Sequence, residues 1–598
     1  MSTATPIKLR IPRQDLSQLS AFPPTAEGAA QWGRSLSSDD TQTAVVRMQE
    51  ALRECNRVEM TSNQRFVILE ALCPTAVRIQ GQLTRRFLNQ PLVLPEASRQ
   101  MAEFSESLLS LLSTAYTLVT VHTIQRPPDS PELNPARQAC ESLQRALEFA
   151  GRRILQAFQL YQNLEPSCWL TLHQLYALGE RQNLANLPVA DLHGQQVSLT
   201  STYLQTAMLS CCKPNQLRQS ELIGLYLALQ NLWGHLLKLR RDCDGEDSCF
   251  RVNLHDDKPP QYHLDDAGTG EYIRYIATSG LLKHLQEMHN RDRGNQQQVN
   301  TLLRELGLPM SSLDHLVEAL STPRQRNFSR RSGEGLALEV AVGLSSVHYH
   351  IAGDRTFAQF LPAQLAEMAD SGKLFTDAGS PRHPEGDAAG HPAVERPPAP
   401  AEEMVHHLEE APEANPGQHR FSIYRAPVIN VSPGGYCLSW DDPNPVNMRS
   451  GDVLCVREPD QSNWLIAAVR WISALENAQT LIGLELLSPQ AVPYGARVMS
   501  PSGTPSRPIR VLLLPEIKLV GKPHTLITPR TGFRERQRVV LLRDDEEFLV
   551  QLQRQLDATG SYSQFSFRYV RELEKNNSAV AEEVEFPRLA FESLWSHI

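Results

Sequence analysis

Apolar residues recur at helical spacing through the first half of the chain. In Arg218–Leu239, residues Leu222, Leu225, Leu229, Leu232 and Leu236 follow a 3-4-3-4 pattern that puts them on one helix face. In Ala139–Gln162, Leu143, Leu147, Ala150, Ile154, Phe158 and Tyr161 do the same. Pro127, Pro128, Pro135, Pro166 and Pro214 fall between such segments, where helices stop or begin, and Ser220-Glu221 lies at a plausible helix start. Residues 41–320 therefore read as an all-α helical array behind an N-terminal tail, 1–40.

The stretch Trp169–Tyr176 resembles the first helix of a tetratricopeptide repeat in its Trp, Leu and Tyr offsets. His173 stands where that repeat has Gly, and no second copy follows at a fixed period, so the pattern describes an irregular helical array. The least charged run, Ser107–Gln125, is long enough to span a bilayer. Its Ser, Thr and His122 content, with Leu108, Leu109, Leu111 and Leu112, fits a buried helix instead, and no integral membrane segment is expected.

The pattern changes twice in the second half. Thr376–Gly417 is rich in Pro, Ala, Gly, Glu and His and nearly devoid of large apolar residues, which predicts a disordered insertion, with His391, His406 and His407 solvated. After Arg420 the period shifts towards two: Trp464–Trp471 and Leu481–Leu487 read as strands, punctuated by turns at Ser432–Gly435, Asp441–Pro445 and Ser450–Asp452. Short strands with frequent turns predict a small antiparallel barrel over 321–500. Arg510–Leu514, Arg538–Leu542 and Phe565–Val570 predict a second β-rich domain over 501–598. The fold class is multidomain α+β.

Composition narrows the function. A chain of 598 residues is too long for one core. A net charge of −9 argues against a dedicated nucleic-acid binder, while leaving room for a local basic patch. The N-terminus has no apolar signal region, and the expected location is cytoplasmic. The ten cysteines contain no C-x-x-C and read as reduced thiols; Cys211–Cys212 sit in an apolar helix, and Cys243 and Cys249 bracket an acidic loop without completing a metal set.

Two elements carry candidate chemistry. Four arginines, Arg324, Arg326, Arg330 and Arg331, fall within eight residues. Each guanidinium is a planar fork that grips phosphate oxygens, pairs with guanine O6 and N7, or stacks on a base. The second element is the tight turn Asn430-Val431-Ser432-Pro433-Gly434-Gly435. There Asn430 offers an amide and Ser432 a hydroxyl to a base edge, and Gly435 removes bulk where a ligand approaches the backbone.

At these residues the sequence resembles the PilZ domain family. Arg326-x-x-x-Arg330 matches its R-x-x-x-R motif and Asn430-x-Ser432-x-x-Gly435 its [D/N]-x-S-x-x-G motif, while Val469-Arg470-Trp471 and Ile482–Leu486 look like later strands of its barrel. The resemblance covers residues 320–355 and 420–490. It implies a six-stranded barrel that binds cyclic di-GMP, with Arg326, Arg330 and Arg331 on phosphates and guanine, Asn430 and Ser432 on base and phosphate, and Gly435 permitting the turn. The motifs stand about a hundred residues apart, farther than the family spacing, which a long flexible insertion tolerates because loop closure costs grow slowly with length. Leu336–Ile351 then reads as the first barrel strand. Arg420 and Arg425 form an alternative pair, one residue too widely spaced.

His348 and His350 alternate on that strand and read as polar surface; Asp256-Asp257 and Asp265-Asp266 read as solvated turns. No phosphate loop, nucleophile elbow, zinc-protease motif or dinucleotide fingerprint occurs, and the cyclase and phosphodiesterase signatures are missing, so no enzyme and no cofactor are expected. The sequence reads as a cyclic di-GMP effector whose helical region meets an unknown protein partner. The rival reading is an interaction scaffold with a degenerate, non-binding barrel.

Overall fold

The computed structural model describes residues 7–126, 134–243, 248–263, 270–290, 293–322, 331–333, 335–362, 365, 421–440, 448–475, 479–499, 506–517, 521–543 and 546–570. Helices α1 (Ala26–Ser35), α2 (Thr41–Cys55), α3 (Ser62–Phe87), α4 (Glu96–Gln125), α5 (Pro135–Gln159), α6 (Cys168–Arg181), α7 (Leu199–Cys211) and α8 (Gln219–Asn231) share one large apolar core. The stretch read as an N-terminal tail thus already contains a helix, whose Gly33 packs against Thr75.

Helix α4 holds the apolar run and is long and apolar enough to cross a membrane, yet most of that window is buried. Its hydroxyls have partners. Ser105 donates to Gln156 at 2.6 Å, Ser113 to the Ala146 carbonyl at 3.0 Å, and Thr120 meets Ser142 at 2.8 Å. These bonds face α5, so the polar residues of α4 are helix-packing contacts. The predicted leucine face runs through α8 only to Leu229; Leu236 falls in a following 3-10 turn.

The all-helical reading fails at its end. After the hairpin β1 (Val189–Ala190) and β2 (Gln196–Val197), strands β3 (Lys238–Arg240), β4 (Cys249–Asn253), β5 (Gln261–Tyr262) and β6 (Ile273–Ala277) form a four-stranded sheet. Strands this short, inside a helical region, leave no period-two run to read. Helices α9 (Ser279–Asn290), α10 (Arg293–Glu305) and α11 (Ser311–Leu320) follow. Cys243 and Cys249, six residues apart with Cα atoms 6.6 Å apart, are joined as a disulfide, against the reading of ten reduced thiols; the other eight cysteines are free and buried.

The first barrel is built from β8 (Ala337–Val342), β9 (Tyr424–Ser432), β10 (Gly435–Trp440), β11 (Val453–Arg457), β12 (Leu465–Ala474) and β13 (Thr480–Ser488), with a two-residue strand β7 (Arg331–Ser332) ahead of them. Pairings β8–β9, β9–β10, β10–β13, β13–β12, β12–β11 and β11–β8 close the ring. Leu338, Val340, Ala426, Val428, Leu438, Val456, Val469, Ile482 and Leu484 fill it.

The expected single strand over Leu336–Ile351 is instead β8, a turn at Gly343 (φ 89°), and helix α12 (Leu344–Ile351), with α13 (Phe357–Phe360) behind it. Glycine alone takes that φ cheaply, and the chain turns off the barrel there. Residues 376–417 lie outside the described residues.

The second barrel starts earlier than expected, within the stretch assigned to the first. Strands β14 (Val492–Val498), β15 (Ile509–Leu514), β16 (Thr525–Pro529), β17 (Arg538–Arg543), β18 (Glu546–Ala558) and β19 (Tyr562–Tyr569) close in the order β14-β15-β16-β19-β18-β17. Numbered within each barrel, both rings run first-second-third-sixth-fifth-fourth.

The barrels pack side by side. Ala341, Leu344, Val347, Val453, Cys455, Ile466 and Ala468 of the first share one buried cluster with Leu512, Leu514, Ile527 and Tyr562 of the second. The helical region meets the first barrel through Tyr161, which is buried in that barrel's core cluster, and through Arg218, which donates to the Ser450 carbonyl at 2.9 Å and pairs with Asp452 at 2.8 Å.

Candidate ligand site

Strand β9 is the spine of the site. Its inward residues Tyr424, Ala426 and Val428 are buried. A register shift opposite Cys437/Leu438 then makes Ile429 an extra residue, so Asn430 pairs with Cys437 and Val431 with Tyr436. Val431 and Tyr436 pack at the end of the barrel core, and Asn430 and Ser432 lie on the alternate face of β9.

The turn is held closely. Ser432 donates its hydroxyl to the Gly435 carbonyl at 3.3 Å, and the Leu486 amide donates to the Gly434 carbonyl at 2.9 Å. A Cβ on Gly435 would stand 1.8 Å from the Leu484 carbonyl oxygen, so no other residue fits without moving β13. Gly435 thus serves close packing of the turn on β13 as well as open access.

Arg326 and Arg330, with Pro323 to Arg330 as a whole, lie outside the described residues. The residue that follows them, Arg331, is described. Arg331 pairs with Val431 and Ser332 with Asn430, antiparallel. Residues a hundred apart in sequence are therefore adjacent in register, and the chain that leaves Arg330 runs directly along the turn motif. Paired residues share a face, so Arg331 lies on the side of Val431 and Tyr436 at the barrel mouth, and Ser332 on the side of Asn430. Arg331 is exposed, and no carboxylate among the described residues pairs with it.

The alternative pair does not share this geometry. Arg420 lies outside the described residues. Arg425 is held in β9 opposite Glu339, five residues before Asn430, on a strand fixed by β8. His348 and His350 are not alternating strand residues. They lie on α12, and His348 is buried between the rings of Phe357 and Phe360, with its Nε2 3.2 Å from the Tyr494 carbonyl. Burial first, and then the positive Arg510, pushes its pKa down to about 3.

Sequence reasoning missed what lies behind the turn. Gly435 pairs with Glu485, and Glu485 accepts from Arg470 at 2.5 Å. Arg470 also reaches Asp557 of the second barrel at 3.0 Å, and Asp557 accepts from the Tyr562 hydroxyl at 2.8 Å. Burial works against the charge of Arg470, but Tyr562, Asp557 and Glu485 outweigh it and raise its pKa. The period-two pattern marked Arg470 and Glu485 as strand residues; their pairing comes only from the register of β12 on β13.

Three family models match consecutive parts of the chain. They describe the N-terminal domain of the cyclic-di-GMP receptor FimW over 27–242, its middle PilZ domain over 249–493, and its C-terminal β-barrel domain over 494–570. The chain is 29% identical over 611 residues to the cyclic-di-GMP receptor FimW of Pseudomonas aeruginosa, covering 99% of each chain. No solved structure matches. Residues 249–493, which hold the closed six-stranded ring, thus belong to the PilZ domain family, preceded by a large helical N-terminal region and followed by a second barrel.

Proposed function

We propose that this chain is a receptor for cyclic di-GMP and not an enzyme, and that it binds the ligand between the arginine arm ending at Arg331 and the turn Asn430–Gly435. The observation that carries the reading is the pairing of Arg331 with Val431 and Ser332 with Asn430. It eases the spacing problem: β8 and β9 are paired neighbours although about eighty residues separate them in sequence, and Arg331, the residue after the arginine motif, pairs with the strand that carries the turn motif. Arg326 and Arg330 then supply forks for the phosphates and guanine O6 and N7, with Arg331 beside them at the mouth. Asn430 and Ser432 meet the base edge and a phosphate from the turn, the Ser432 hydroxyl exchanging its 3.3 Å bond to Gly435 for the ligand.

A ligand shifts a conformational equilibrium only by its differential affinity for the two states. The arginine arm links α11 of the helical region to β7 of the barrel, so ligand held there acts on the joint between them. The helical region is the output surface for a protein partner, and the setting is the cytoplasm. Hydrogen exchange on the full chain tests this. Added cyclic di-GMP should protect amides at 331–333 and 430–435, while GTP should not. Unchanged exchange at both segments under saturating ligand contradicts the reading and favours the scaffold with a non-binding barrel.

A further inference from the structure

The second barrel carries a feature that ligand capture does not use. Residues 492–570 contain twelve Lys and Arg against seven Asp and Glu, in a chain of net charge −9. Five of these arginines gather on one outer face. Arg538 pairs across β17–β18 with Gln551, and Gln551 pairs across β18–β19 with Arg568. The Gln551 side chain ties the row together: its Oε1 accepts both Nε and Nη2 of Arg568 at 3.1 and 2.7 Å, and its Nε2 donates to the Arg536 carbonyl at 3.0 Å.

Arg534 lies in the turn before β17, and Arg554 sits at the bulged part of β18 beside Ser566. All five are exposed, and no carboxylate among the described residues is within 4 Å of their guanidinium groups. Glu535 sits among them, but its Oε1 accepts from the Gln555 backbone amide.

Two large apolar residues left exposed among the described residues lie close to these arginines in the chain, at the edge of the face rather than in its row. Leu556, 46% exposed, follows Arg554 by two positions, and Tyr569, 47% exposed, follows Arg568 at the barrel rim. We propose that this face docks on an anionic phospholipid surface. Guanidinium forks match lipid phosphates, a tyrosine ring suits the headgroup level, and an exposed leucine has an apolar layer to enter. A nucleic acid fits less well. The barrel's aromatic cluster lies at its end, where Tyr569 meets Phe548 and Phe567 edge-on, rather than as free ring faces among the arginines.

The test is flotation of the full-length protein with vesicles of phosphatidylcholine alone and of phosphatidylcholine with one-third phosphatidylglycerol, at low and high salt. Binding is expected only to the anionic vesicles and should weaken with salt. The triple variant R536Q/R538Q/R568Q should lose more than about tenfold in vesicle affinity, since each basic residue near an anionic surface contributes about fivefold. R536K/R538K/R568K keeps the charge and should bind within about threefold of the parent, which separates lost charge from a damaged fold. L556S should weaken binding by a smaller factor. Equal binding to both vesicles, no binding at low salt, or an unaffected glutamine variant overturns the proposal. So does capture of duplex DNA or RNA oligonucleotides in place of the anionic vesicles.

Discussion

The two barrels close in the same strand order and differ in what occupies equivalent places. In the first, the connection between second and third strands is the tight turn Ser432–Gly435, pressed onto β13 and bordered by β7. In the second, β15 and β16 are joined by the longer stretch 515–524, where Gly521 has φ 64° and open space around its missing Cβ. An arginine arm enters the first barrel just before its first strand. The second is entered from β13 through Pro489-Gln490-Ala491, with no arginine. The two rings therefore share one topology and differ in a turn and a lead-in, and under the proposed reading the ligand site sits on those differences.

The sharpest way to break that comparison is at the two glycines. Gly435→Val should destabilise the first barrel by ~3 kcal/mol or more, because the new side chain meets the Leu484 carbonyl within the sheet. Gly521→Val should cost only ~1 kcal/mol, the strain of a left-handed backbone at an open site. Thermal unfolding of both variants checks this, and equal losses would mean that the two turns are structurally interchangeable.

Next in size is the arm. Arg326→Ala or Arg330→Ala should weaken cyclic di-GMP binding by ~1.5–3 kcal/mol, the scale of a hydrogen bond to a charged group, with the melting temperature unchanged. Arg425→Ala, in the fixed strand β9, should leave affinity within about twofold, well under 1 kcal/mol. The reverse ranking in binding titrations would restore Arg425 as the clamp.

Acid probes the joint between the barrels. The folded-state pKa of His348 is pushed down to about 3 by burial, from an ordinary value of 6.5. The unfolded chain takes up this proton first, so stability is full above about pH 6.5 and falls as pH drops towards 3. At pH 5 the loss from this group is up to ~2 kcal/mol. His173, buried in the helical region and held at about 4, adds a second loss of the same sign. Melting curves from pH 8 to pH 5 should fall steeply, and His348→Gln should keep only the His173 part; an unchanged slope in that variant would rule out His348 as a source of acid sensitivity. The smallest expected effect is Ser432→Ala, ~1 kcal/mol in affinity or less, for one neutral hydrogen bond.

Much of this architecture is legible in the periodicity of the sequence. Leu143 to Phe158 read correctly as a buried face of α5, and the strands around Val469 and Ile482 as barrel. The failures have physical causes. Leu336–Ile351 reads as one apolar strand because Gly343 alone turns it into a helix, and that turn buries His348, which alternation had placed at the surface. The sheet over Lys238–Ala277 is built of strands two to five residues long, too short for a period to show. At the site, the residue types of Asn430, Ser432 and Gly435 were legible, but their proximity to Arg331 was not. A hundred intervening residues carry no signal of register, which the pairing of β7 with β9 supplies.

The proposed ligand site at the first barrel alone is tested most directly by calorimetric titration of the full chain with cyclic di-GMP. Saturable heat is expected, with a dissociation constant in the micromolar range or tighter, about −8 kcal/mol or better, lost in an Arg326→Ala/Arg330→Ala double variant that still melts normally. Absence of heat and of any thermal shift at saturating ligand, or full retention of binding in the double variant, would contradict it.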